Sequence, residues 1–138
     1  MKEENDDVKS SLENEFGIQN AKLLFGPKAA SDLIDIWSGI DQTFAKDICN
    51  YSYGSIYSRK VLPTKTRELC AVMTLTAMDK QSALAFHVKA SLRSGSSVEE
   101  VQEAILQAHL YAGIPCVMNA LKTLNKILEE EEFNLKSI

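Results

Sequence analysis

Apolar residues recur at intervals of three and four along most of the chain, the period of amphipathic helices. After the break at Gly26-Pro27, the stretch "AASDLIDIW" places Leu33, Ile36 and Trp37 on one face of a short helix. A further helical run, roughly 41 to 57, puts Phe44, Ile48, Tyr51 and Ser55 on a common side before the loop "SRKVLPTK". Pro63 marks a boundary, and Thr64 is a plausible N-cap for the next helix, through Arg67, Glu68, Val72 and Leu75 to about Met78. A polar break at Asp79-Lys80-Gln81 separates that helix from the one carrying His87, which Gly95 closes. Ser97 and Glu100 then form an S-x-x-E capping box. Val98, Val101, Ile105, Ala108 and Ala112 draw a single apolar stripe to Tyr111-Ala112-Gly113, and Pro115 separates this run from a last helix with Val117, Leu121, Leu124 and Leu128 on one face. No strand alternation appears, so the pattern predicts an all-α fold.

The first 16 residues follow a weaker rule. Val8, Leu12 and Phe16 sit at helical spacing in an otherwise polar segment, which reads as an amphipathic helix or a tail ordering against a neighbouring subunit. Residues 17–138 are then expected to form a single helical domain. Hydrophobic residues make up 45% and charged ones 25%, the balance of a soluble globular protein. No apolar stretch reaches the roughly 18 uncharged residues of a membrane span, and the N-terminus opens on charge, so a cytoplasmic protein without membrane contact is expected.

Net charge is -4 and uneven: residues 1–16 hold six acids against two bases, while residues 17–128 carry twelve bases against nine acids. No Lys/Arg stripe with interleaved aromatics arises from this, which argues against nucleic acid and leaves a small anionic ligand as the expected partner. Cys49, Cys70 and Cys116 are odd in number and widely spaced, which excludes a disulfide framework and a zinc knuckle; they read as reduced, mostly buried thiols.

His87 is the first candidate for chemistry. Its neighbours at helical spacing are Ala83, Leu84, Ala90 and Ser91, so the ring projects from a mostly apolar patch, where a neutral imidazole is a base or simply a core histidine with satisfied nitrogens. Glu68, in the preceding helix, comes alongside if the two helices pack antiparallel, and a carboxylate facing a histidine fixes its tautomer for proton transfer. The same residue also fits plain helix-start electrostatics. Arg67 can grip a substrate carboxylate in a bidentate pair or join an ion pair. His109 stands at the margin of the apolar stripe, and Tyr111 at a helix end can face a pocket, an interface or the core. No H-x-x-x-H or E-x-x-H spacing sets two ligands on one helical face, so neither a metal nor another cofactor is expected.

The order of these residues resembles a known family. "TRELCAVMTLTA" followed by "HVKASLRSGSSVEEVQEAILQAHLYAGIPCVMNAL" is similar to the carboxymuconolactone decarboxylase family over about residues 60–125, with Arg67, Glu68, His87, Gly95, Glu99, Glu100, Tyr111, Gly113 and Pro115 in order at matching intervals. The resemblance implies an all-helical fold of the alkyl hydroperoxidase D type, assembled into trimers or hexamers. One branch of that superfamily uses a C-x-x-C pair ahead of the histidine as a thiol peroxidase. Here those positions hold Lys80 and Ala83, so the thiolate pair of a peroxiredoxin-related antioxidant is missing. The branch without the cysteines includes the decarboxylase that names the family. By that resemblance the chain is a cofactor-free carboxy-lyase acting on a small carboxylated or lactone metabolite, with His87 and Glu68 catalytic and Arg67, Tyr111 and His109 binding substrate. The alternative is a non-enzymatic oligomeric binding protein of the same fold, and behind both stands a peroxiredoxin-type antioxidant activity through a rewired cysteine.

Overall fold

The structure, a computed structural model, describes residues 16–136. The segment 1–16, expected to be a polar helix or tail, lies outside these residues except for Phe16. The described residues form α-helices and one π-helical segment, with no strand among them, which is the all-α architecture the periodicity predicts. The chain divides into two compact units, Met1–Val61 and Leu62–Ile138.

In the first unit, α1 (Phe16–Phe25) is followed by α2 (Pro27–Ile40), α3 (Gln42–Ile48) and a π-helical segment (Cys49–Ile56). Gly26 makes the α1–α2 corner at a φ of 90°, and Pro27 opens α2, where its missing N–H costs nothing. The Asp41 carboxylate accepts the Phe44 N–H at 2.7 Å and so caps α3. Ile18, Ile34 and Cys49 form the core here with Trp37 packed against them, and Phe25 meets Tyr53 edge-on at 5.5 Å.

Two expected faces are corrected. In α2 the buried positions are Ala30 and Ile34, with Trp37 half-buried, while Ile36 is 61% exposed. The buried set is i, i+4, i+7, one step away from the face that Leu33 and Ile36 suggest. Beyond residue 41 the chain buries Ala45, Cys49 and Tyr53, and Phe44, Tyr51 and Ser55 are exposed. For the second of these faces the cause is close approach of backbones. A Cβ on Gly17 would run into the Cys49 carbonyl oxygen and lie 2.8 Å from its carbon, so α1 crosses the π-helical segment where only small residues fit. The wider π turn, closed by Tyr57 N–H donating to Ser52 O at 2.9 Å, shifts the phase off the 3.6-residue period. Gly17→Ala is therefore expected to destabilise the first unit by about 1–3 kcal/mol, since the obstacle is backbone that cannot rotate away. Chemical denaturation read from the tyrosines and tryptophan of this unit checks it.

The second unit contains α4 (Thr64–Ala77), α5 (Gln81–Arg93), α6 (Val98–Gln107), the short α7 (His109–Ala112) and α8 (Ile114–Lys136). Val72, Leu84, Val88, Val101, Ile105, Ala108, Val117, Ala120, Leu124 and Ile127 build its core, with Ala112, Leu121 and Leu128 packed against it, so the stripes read on the last two helical runs do face inward. The Thr64 cap is corrected: Pro63 occupies the N-cap position, Thr64 is the first helical residue, and no side chain caps α4. Pro115 likewise does not separate two helices. It lies in the first turn of α8, a position proline tolerates because that N–H has no partner in the helix. The break is made by Gly113 at a φ of 82°; an added Cβ there would meet only Pro115 Cδ at 3.9 Å, so conformation rather than crowding calls for glycine.

Gly95 ends the α5 turn at a φ of 93°, and both bonds of the capping box are present: Glu100 N–H donates to Ser97 Oγ at 3.1 Å, and Ser97 N–H donates to Glu100 Oε2 at 2.8 Å. Lys65 approaches the other Glu100 oxygen at 2.8 Å and ties α4 to the start of α6. The Lys65 ammonium first, and the Ser97 N–H second, hold the Glu100 carboxyl below the ordinary glutamate value of 4.5. A lowered folded value means that the stabilisation is complete above pH 4.5 and lost as pH falls through the lowered value. Wild type should melt above Glu100→Gln at neutral pH, with the difference closing on acidification below that point; melting temperatures across an acid series check this.

Candidate active site

The site grows from two helix faces in the second unit. On α4, Glu68, Val72 and Thr76 recur every four residues and are all buried, so the carboxylate is drawn inward by the helix that carries it. Thr76 returns its hydroxyl to Val72 O at 2.8 Å, so its own polar group is satisfied within the helix. The turn from α4 to α5 is set by Asp79 at a φ of 53°, one of the few side chains that tolerate a left-handed backbone. Asp79 also accepts from Gln81 Nε2 at 2.6 Å and from Asn119 Nδ2 at 3.2 Å, while Thr123 donates to Gln81 Oε1 at 2.7 Å. This polar chain pins the turn to α8 and fixes where α5 begins. Periodicity does not find it, because it joins residues some 40 positions apart; the "DKQ" break is its only local trace.

Six residues into α5, His87 turns toward α4, and its Nδ1 lies 2.8 Å from Glu68 Oε2. The glutamate side chain is fully buried and the histidine side chain 20% exposed. A carboxylate oxygen can only accept, so Nδ1 donates to Glu68, and Nε2 is the ring nitrogen that Glu68 does not engage. Glu68 Oε1 is buried with no hydrogen-bond partner among the described residues. Helix-start electrostatics does not account for Glu68, since no acid lies in the first turn of α4 and the side chain is committed to His87.

Arg67 precedes Glu68 and is half-buried. His109 and Tyr111 sit on α7, both exposed, Tyr111 to 75%, which removes Tyr111 from the core. Cys49 and Cys116 are buried, and the Cys116 thiol donates to Gly113 O at 3.1 Å. Cys70 is exposed, so the expectation of buried thiols holds for two of the three. Among the described residues no group of three His, Cys, Asp or Glu is placed to hold a metal ion, and no helix is long and apolar enough to cross a membrane.

These features define an all-helical protein whose distinctive chemistry is a carboxylate–imidazole pair between two consecutive helices, the carboxylate fully buried and the imidazole partly so. The chain belongs to the carboxymuconolactone decarboxylase family, whose model matches residues 42–126. It is similar to 4-carboxymuconolactone decarboxylase of Acinetobacter baylyi, 26% identical over 83% of this chain and 85% of that one. Nitrosuccinic acid decarboxylase of Metarhizium robertsii is 23% identical over 94% of this chain and 92% of its own. An uncharacterized 15.0 kDa protein of Paracoccus denitrificans is 30% identical over 65% of this chain and 69% of its own.

Proposed function

We propose that the protein is a carboxy-lyase that decarboxylates a small carboxylated metabolite of lactone type, with His87 as the proton-transfer group and Glu68 holding it in position. The observation that carries this is the 2.8 Å bond from His87 Nδ1 to a fully buried Glu68, which fixes the ring's orientation and tautomer. Two relatives named as decarboxylases support the reaction type. Their printed names describe acids bearing a second electron-withdrawing group, a lactone in one and a nitro group in the other. In this reaction the bond from carbon to carboxylate breaks and carbon dioxide leaves. The electron pair stays on carbon, spread into the neighbouring lactone carbonyl, which is why no cofactor is needed in this scheme. The imidazolium form of His87 then delivers the Nε2 proton to carbon while Glu68 keeps the proton on Nδ1.

Arg67 would hold the carboxylate that stays on the substrate, and His109 and Tyr111, accessible on α7, would border the bound molecule. Assembly into trimers or hexamers in the cytoplasm belongs to the same proposal. The test is carbon dioxide release from a panel of carboxylated lactones by wild type and His87→Gln. Turnover by wild type that falls about 10²- to 10⁴-fold in the variant supports the assignment. Unchanged turnover removes His87 from the mechanism. A variant that only dissociates the assembly, with no substrate turned over by wild type, favours an oligomeric binding protein.

A further inference from the structure

The face of α5 turned away from His87 carries a cavity of about 360 Å³, lined by residues of α5 and α8. At about 100° per residue, Ala85 and Lys89, two positions before and after His87, stand about 160° from it around the helix. The cavity is therefore no extension of the Glu68–His87 site. Its two ends are bridged. Thr123 donates to Gln81 at 2.7 Å at one end, and Lys89 meets Glu130 at 3.4 Å at the other. Both bridges advance in the same direction along the chain, so α5 and α8 run parallel here, and the bridges lie about 12 Å apart along α5. Between them the floor is small and apolar: Ala85 leaves space beside buried Ile127.

Ser82 and Lys126 complete the lining. Lys126 makes no salt bridge among the described residues, and with Lys89 it outnumbers the single acid, Glu130, so the groove has a positive balance over an apolar floor. We infer that this groove is a binding site for a small organic monocarboxylate, its alkyl body on Ala85 and Ile127 and its carboxylate against Lys126. The volume is in the range of small-molecule pockets, and the lining sets a short apolar floor, Ala85 and Ile127, among polar side chains that can orient a ligand. Phosphate and other compact inorganic anions lack the apolar body that the floor would cover.

The experiment is a titration of the isotope-labelled full-length protein with isovalerate, followed by amide chemical shifts, with isovaleramide as the uncharged control of the same shape. Saturable shifts centred on Ala85, Thr123 and Ile127 with a millimolar Kd are expected, about tenfold weaker for isovaleramide and for Lys126→Ala. Ala85→Leu, which fills the floor, should abolish binding of both probes; the Lys126 variant and the amide decide the matter if that protein folds poorly. His87→Gln should bind isovalerate as wild type does, which keeps this site separate from the proposed reaction whichever way turnover falls. Shifts that do not saturate, that centre elsewhere, or that are the same for isovaleramide or Lys126→Ala overturn the inference.

Discussion

Glu68→Gln should lower kcat for decarboxylation by about 10²- to 10⁴-fold and leave KM within a few-fold of wild type. The reason is the tautomer. A carboxylate can only accept from Nδ1, whereas an amide can also donate to it, and a ring that accepts at Nδ1 carries its proton on Nε2 in its neutral form. The geometry survives and the preference between the two nitrogens does not. Because Glu68 acts through His87 and is fully buried away from solvent, the effect falls on the chemical step rather than on binding.

A purely structural role for the pair predicts another outcome. Breaking a buried pair by removing one partner costs stability, about 3–5 kcal/mol where both members are ionised, whereas glutamine keeps the shape and still reaches Nδ1. Glu68→Gln should therefore melt close to wild type, and Glu68→Ala well below it. The Oε1 atom has no donor among the described residues, so the amide breaks no second hydrogen bond. Equal kcat for wild type and Glu68→Gln would withdraw Glu68 from the mechanism and leave it a packing residue.

A large loss of stability is also expected at Leu84. It is fully buried in the cluster formed with Val88, Val101, Ile105 and Leu124, and it lies three residues before His87 on the same helix. Leu84→Ala should cost about 2–5 kcal/mol, the spread reflecting how far the neighbours relax into the space. The cavity would open at the base of the turn that aims the imidazole, so turnover should fall as well, though by less than in His87→Gln. Denaturant unfolding checks the first part: the midpoint should drop with the slope unchanged. A loss below 1 kcal/mol would mean that this part of α5 is not held by the core.

Much of the second unit can be read from its residues one stretch at a time. Gly95 and the Ser97–Glu100 box end one helix and start the next by bonds no longer than four residues, so they need no partner from elsewhere. Val101, Ile105, Val117 and Leu124 face the core as their spacing indicates, because each helix has one dominant apolar stripe. The first unit is harder. Phe44, Tyr51 and Ile36 are bulky apolar residues that stay exposed, while Ala45, Cys49 and Ala30 are small and buried. Hydrophobicity alone ranks these the wrong way round; at the Gly17–Cys49 crossing, space rather than transfer free energy selects the side chains.

The candidate site divides along the same line. His87 and Glu68 can be singled out from their neighbours, and the order of motifs around them places the chain in its family. Their meeting across 19 residues, the full burial of one partner, and the groove on the far side of α5 depend on how helices distant in sequence pack. Helix formation, capping and the apolar period are short-range, so the amino-acid sequence by itself determined that this chain is helical and where most helices start and stop. Which faces are buried, and which carboxylate finds the imidazole, are decided by long-range packing, where the volume available between backbones outweighs local preference; only the tertiary structure carries that information.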